Sequence, residues 1–259
     1  MAQHLAIDLN ADMGESTELL ASGADAELMK YITSANIACG GHAGDAETMR
    51  ATLLLAKANG VAAGAHPSYP DRDNFGRTAM EMPVEALERC VYEQLAALAA
   101  IAAEVGVALM HVKPHGALYH ACNQSEDVAR ALARASLRCS PKLLLVGQAN
   151  SCALQWWRES GAQVAGEAFA DRAYETDGTL RKRGLPGAVL ASADLAVSQA
   201  LSIARDHCVR SIGGIEIAVE ANTICLHSDT PGAADFARKV RSALERAGVR
   251  VCGLVTPLQ

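Results

Sequence analysis

The sequence predicts an α/β fold, a (β/α) TIM-like barrel, on three observations. Short apolar runs alternate with amphipathic stretches long enough for helices, the pattern of a parallel sheet wrapped by helices. Polar and ionisable residues follow the carboxyl ends of at least six of those runs. A β/α barrel gathers its site at that end, whereas an open doubly wound sheet concentrates ligands at one switch point. Finally, neither G-x-G-x-x-G after the first strand nor G-x-x-x-x-G-K-[ST] is present, so a standard dinucleotide or P-loop site is not expected.

Residues 5–10 read as the first strand, with Asp8, Asn10 and Asp12 alternating along one face. Asp12 and Glu15 would equally serve to cap a turn near Gly14. A helix over 24–31 precedes a second strand over 34–39, which opens into Gly40, Gly41 and His42. Asp45 suits that site and also the N-cap of a helix over 46–59. Gly60 ends the helix, and a third strand over 61–65 finishes at His66-Pro67. Residues 68–82 are too long and too rich in Pro, Asp and Gly for a plain connector and read as a binding loop. A helix over 83–105 leads into an apolar run, 105–110, read as a buried strand. Its polar continuation places His111, Lys113 and His115 at alternate positions, and Pro114 ends the strand.

A helix over 127–139, a strand over 142–147 and a helix over 150–160 follow, with Trp156 and Trp157 read as packing. The strand over 162–169 ends among Glu167, Asp171 and Arg172. A second charged, Gly-broken loop after it can act as a lid. Residues 192–207 read as a helix, 209–219 as a hairpin around Gly213-Gly214 and 223–226 as the last clear strand. His227 and Asp229 come next. Asp229 or Thr230 caps a helix over 231–247 whose first amides face the same end of the fold.

With 259 residues, 50% hydrophobic and 20% charged, the chain can bury one large core, and a single domain over residues 1–259 is expected. A net charge of -6 without any Lys/Arg run argues against a nucleic-acid surface. The start lacks a basic segment and a long apolar run, so no signal peptide is expected. The Ala-rich stretch 95–110 is broken by Glu104 and Gly106 and is too short for a bilayer of about 30 Å. The expected location is cytoplasmic. Eight cysteines without a C-x-x-C pair point to reduced, mostly buried thiols; only Cys39 stands beside site candidates.

Two schemes fit this chemistry. In one, Asp12, His42 and either Asp45 or His66 bind a divalent metal that activates water for amide or ester hydrolysis. In the other, Lys113 and Arg172 hold anionic oxygen while a carboxylate or His115 moves protons. A subunit that only captures a small acid would use the same residues without turnover.

The runs IDLNADMGES (7–16), SANIACGGHAGD (34–45), GAHPSYPDRDNFGR (64–77), HVKPHGALYH (111–120), EAFADRAYETDGTLRKRG (167–184) and TICLHSDTPGA (223–233) closely resemble the LamB/YcsF family of 5-oxoprolinase A subunits. Departures from the family pattern are Gly41 for Phe, Thr78 for Arg, His120 for Asn and Ser228 for Gly. The resemblance implies a distorted barrel similar to that of glycoside hydrolases and deacetylases. It also implies opening of 5-oxoproline to L-glutamate with hydrolysis of ATP to ADP and phosphate, carried out with partner subunits B and C. Homo-oligomerisation is left open. ATP with Mg is the implied cofactor, and a barrel metal would sit on Asp12, His42 and Asp45. The implied catalytic set is Asp12, Lys113, His115, Asp171 and Arg172. Substrate or phosphate would be held by Asp8, Asn10, His42, Asp45, His66, Arg77, Glu167, His227 and Asp229. The alternatives are a metal-dependent deacetylase or amidohydrolase acting on a sugar or amide, and a non-catalytic substrate-binding subunit.

Overall fold

A computed structural model describes residues 5–190, 192–226 and 232–254. The strands are β1 (Ala6–Met13), β2 (Ser34–Ala38), β3 (Ala62–His66), β4 (Leu109–Val112), β5 (Leu144–Gln148), β6 (Gln163–Phe169), β7 (Cys208–Arg210), β8 (Glu216–Ala218), β9 (Thr223–Leu226) and β10 (Arg250–Val251). Helices are α1 (Thr17–Ser22), α2 (Ala24–Met29), α3 (Ala46–Asn59), α4 (Val84–Glu104), α5 (Gly116–Gln124), α6 (Glu126–Cys139), α7 (Cys152–Glu159), α8 (Ala193–Leu201) and α9 (Ala233–Arg246). Seven parallel strands close the barrel in the order β1-β2-β3-β4-β5-β6-β9, with β9 bonded back to β1. β10 extends the start of β1, and β7 with β8 forms the expected hairpin apart from the ring.

Period-2 alternation decides what each strand offers to either side. On β1, Ile7, Leu9, Ala11 and Met13 pack outward into the main apolar layer under the helices, while Asp8, Asn10 and Asp12 turn into the barrel. Leu87, Val91, Leu95 and Leu98 supply the matching stripe of α4. Inside the ring the filling is divided. Leu144, Val146 and Ala165 make a small apolar plug against Leu254. The rest is a polar layer in which Thr33, Ser34 and Thr223 hydroxyls donate to Asp8, and Asn36 donates to Asn10 and Asp12. Buried polar groups are tolerable only when paired, and this layer is built of such pairs.

Several elements differ from the sequence reading. β1 runs on to Met13 and α1 follows at once, its Ser16 cap accepting from Leu19 N. Residues 105–110 are not a buried strand: Gly106, at φ +66°, turns the chain out of α4, β4 starts only at Leu109, and Met110 is 45% exposed. α5 begins directly after His115. The helix expected to reach 207 finishes in a π-helical turn, Ser202–Asp206. Trp157 is buried with its indole donating to Ala129 O, as packing requires. The expected cap at Asp229 or Thr230 and the first turn at Pro231 lie outside the described residues; α9 starts at Ala233 behind Gly232.

Candidate active site

Lys113 stands at the end of β4 as the centre of a buried charge network. Its Nζ donates to Glu167 Oε1 at 2.9 Å, Asp12 Oδ1 at 3.0 Å and Asn10 Oδ1 at 3.2 Å. Burial opposes the ammonium, but Asp12, Cys225 and Glu167 outweigh it and hold the group well above the ordinary lysine range. Burial likewise opposes the Asp12 carboxylate, yet His66 and Lys113 hold it well below the ordinary range. The two therefore form a charged pair at neutral pH, and Asp12 keeps 16% side-chain exposure toward the cavity above. Asp8 and Asn10 lie beneath this pair at 2% and 1% exposure, which makes them supports of the site rather than its surface.

Beside the pair stand three imidazoles and a carboxylate. Glu15, His42, His66 and His115 each offer one ligand atom, and these atoms lie within 4.8 Å of one another, a cluster able to hold a metal ion. Glu15 Oε1 is 3.0 Å from His42 Nε2, 3.3 Å from His115 Nδ1 and 3.9 Å from His66 Nε2. His66 Nε2 is 2.9 Å from His115 Nδ1. The His42 and His115 rings stack with centroids 3.7 Å apart. Burial, followed by the neighbouring His66, pushes the His42 imidazole down to about 2 and His115 lower still, so both rings are neutral, the state in which imidazole ligates metals.

Local sequence explains the convergence. Parallel pairing continues past the strand ends, with Lys113 N donating to Ala65 O and His115 N to Pro67 O, so His66 and His115 are held side by side. Gly14 turns the chain at φ +69°, and a Cβ there would sit 2.6 Å from Thr52 Oγ1; this turn aims Glu15 at the histidines. The 68–82 loop closes over them. Arg72 donates to Gly40 O and Gly44 O, gripping the loop that carries His42. Phe75 adopts φ +56°, a costly conformation for a non-glycine residue, and sets its ring edge-on to both His42 and His115. The binding-loop expectation thus has a physical content: the loop positions the cluster.

A cavity of about 220 Å³ rises from this floor, lined by Asp12, Glu15, Lys113, Arg77, Arg172 and Arg183 among others. It leads into a wider groove of about 870 Å³ whose walls share Arg77, His120 and Arg172. Arg172 is tied to its own loop, Nε donating to Ala188 O and Nη2 to Arg181 O, so it braces residues 171–190 over the barrel end while facing the cavity. Asp171 is buried at 3% exposure beside it.

Not every expected residue is brought together. Asp45 is an exposed N-cap that accepts from Glu47 N and Thr48 N, so the metal set Asp12, His42 and Asp45 does not form. Its carboxylate is committed to the first amides of α3 and does not line the cavity. Glu15, which completes the cluster, reads from the sequence only as a turn cap; its place in the IDLNADMGES run is the signal that could have found it. His227, Ser228 and Asp229 lie outside the described residues. Cys39 is sealed in the core, its thiol pushed up to about 12 by burial, and is chemically inert. Gly41 packs against Gln94 and Ser68, where a Cβ would come within 2.4 Å of both side chains.

Residues 7–259 match the LamB/YcsF family. The chain is 49% identical to the A subunit of 5-oxoprolinase from Chloroflexus aggregans, over 95% of this chain and 98% of that one. It is 46% identical to the corresponding 5-oxoprolinase chain of Pyrococcus furiosus, covering 95% and 96%. Its fold superposes on the crystal structure of a lactam utilization protein from Thermus thermophilus with a TM-score of 0.90, at 41% identity over 96% of this chain and 100% of that one. With six motifs in order and a matching barrel around them, this chain belongs to the LamB/YcsF family.

Proposed function

We propose that this chain is the lactam-opening subunit of an ATP-dependent 5-oxoprolinase, producing L-glutamate with partner subunits B and C. The observation that carries the reading is the charged Lys113–Asp12 pair at the floor of a small cavity rimmed by Arg77, Arg172 and Arg183. A cavity of about 220 Å³ suits a five-membered lactam acid.

An unstrained lactam resists water. Phosphorylating its carbonyl oxygen turns that oxygen into a leaving group, and two waters are consumed overall as 5-oxoproline and ATP yield glutamate, ADP and phosphate. In this scheme the guanidinium groups hold the substrate carboxylate or the phosphoryl oxygens, and Lys113 stabilises negative charge developing on the former carbonyl oxygen. His115 Nε2 faces Phe75 O and its Nδ1 faces the Glu15–His66 cluster, so Asp12, the cavity carboxylate paired with Lys113, takes the proton from attacking water. The ring C–N bond then breaks, its nitrogen taking up a proton, to leave an acyl phosphate; a second water attacks that acyl carbon, the C–O bond to the phosphoryl group breaks, and glutamate and phosphate leave. A divalent ion on the histidine cluster would supply Lewis acidity.

The test is ADP and glutamate release from 5-oxoproline and ATP by this chain alone and with subunits B and C added. Coupled release only in the full mixture is expected. A second reading, metal-dependent hydrolysis of an amide or acetylated sugar without ATP, is favoured by the histidine cluster itself. It would replace the first if no mixture consumed 5-oxoproline while a divalent metal gave amide or deacetylase turnover.

A further inference from the structure

We infer that Glu15, His42, His66 and His115 form one transition-metal site, and that the backbone carbonyls of Lys113 and Phe75 preset two of its imidazoles for ligation. The placement of ring hydrogens decides which nitrogens can ligate. His66 Nδ1 lies 2.7 Å from Lys113 O, and His115 Nε2 lies 3.0 Å from Phe75 O. A carbonyl oxygen only accepts, so each of these outer nitrogens carries the ring hydrogen. The inner nitrogens, His66 Nε2 and His115 Nδ1, are then both lone pairs, and they face each other at 2.9 Å. Two acceptors at that distance repel unless a cation lies against both.

A shared proton would serve this pair and Asp12 Oδ2, 3.3 Å from His66 Nε2, and would leave His42 Nε2 without a share in it. A divalent ion satisfies all four atoms, because Glu15 Oε1 and His42 Nε2 converge on the same point at 3.0 Å from each other. Ligands bound at about 2.0–2.2 Å must stand roughly 3 Å or more apart, the spacing seen here. His42 Nδ1 is buried without a hydrogen-bond partner among the described residues, so it is open to carry the ring hydrogen. An ion can then replace the hydrogen that His42 Nε2 would otherwise share with Glu15. Holding a metal ligand by a backbone carbonyl on its second nitrogen is the usual way of fixing tautomer and ring direction. Three imidazoles and one carboxylate suit zinc, cobalt, nickel, manganese or iron rather than magnesium or calcium.

The carbonyl that orients His66 belongs to Lys113, so the ligand and the ammonium are fixed by the same residue. A loose cluster of side chains would lack that coupling. The inference stands apart from the identity of the lactam, because its test reads metal and not turnover.

The experiment uses the full chain stripped with a chelator, desalted and titrated with Co2+. Expected are one ion per chain by elemental analysis, visible d–d absorption of a nitrogen-and-oxygen site, and a rise in thermal midpoint. Glu15→Gln and His115→Ala should each weaken Co2+ binding at least about 10–100-fold, with unchanged circular dichroism. Asp45→Ala, altering only the exposed cap, should bind like the parent. Glu15→Gln is nearly isosteric, so it remains readable if the histidine variant misfolds. Binding that is absent in the stripped parent, or equally tight in Glu15→Gln, would overturn the inference, as would loss of binding on Asp45→Ala.

Discussion

Replacing Lys113 by Met tests the centre of the site and the fold together. The ammonium lies 2.9 Å from Glu167 and 3.0 Å from Asp12, and Glu167 has no side-chain exposure. At an effective dielectric of about 20, one such contact is worth roughly 5 kcal/mol before desolvation. Removing one partner of a buried pair costs about 3–5 kcal/mol, because the charge left behind has no water. For a chain of this size each kcal/mol moves the midpoint by about 2–4 °C, so Lys113→Met should melt roughly 6–20 °C lower. Adding Glu167→Gln to Lys113→Met should restore part of that loss, a coupling read by a double-mutant cycle. Below both midpoints, glutamate release should fall at least about 100-fold, the scale set by losing one stabiliser of developing charge. A single variant melting within about 2 °C of the parent, with no coupling to Glu167, would refute the network as described.

Two further outcomes follow from the barrel interior. Gly64→Ala places a Cβ 2.2 Å from His111 Nε2, so it should cost about 1–3 kcal/mol by denaturant unfolding, whereas Gly184→Ala, with nothing within 4 Å, should be nearly neutral. Asp8 is raised above its ordinary value, first by burial, although three hydroxyls donate to it. Between the unfolded value near 3.8 and the folded value, the native state holds more protons, so stability should fall as pH rises through that window, with a slope of at most about 1.4 kcal/mol per pH unit. Asp8→Asn should remove that slope from urea-unfolding curves; an unchanged slope would assign the proton elsewhere.

How much of the fold and site is legible in the sequence depends on the range of the interaction. Alternation in β1 and the His111–Lys113 spacing are visible because a strand repeats every two residues, and both sets do turn into the barrel. Helices α3, α4 and α6 carry their own stripes, and α3 and α6 their own side-chain caps at Asp45 and Ser125. Glu15 is not legible as part of the cluster: its orientation depends on the left-handed turn at Gly14, and that turn is secured by Asp25 and by contact with Thr52 far along the chain. Asp45 fails in the opposite way. Its local role, capping α3, is strong enough to take the whole side chain. Met110 escapes the sequence reading since an apolar run says nothing of which face a neighbouring helix leaves open.

With Leu144, Val146, Ala165 and Leu254 plugging one side of the barrel and the Asp8–Asn10–Asn36 layer filling the other, the vessel is a cul-de-sac. Among the described residues, what enters between the 68–82 and 171–190 loops finds no passage through the far end of the barrel. On the proposed function, a product still lodged on Lys113 would occupy the place of the next substrate, so product inhibition competitive with the lactam is the expected outcome.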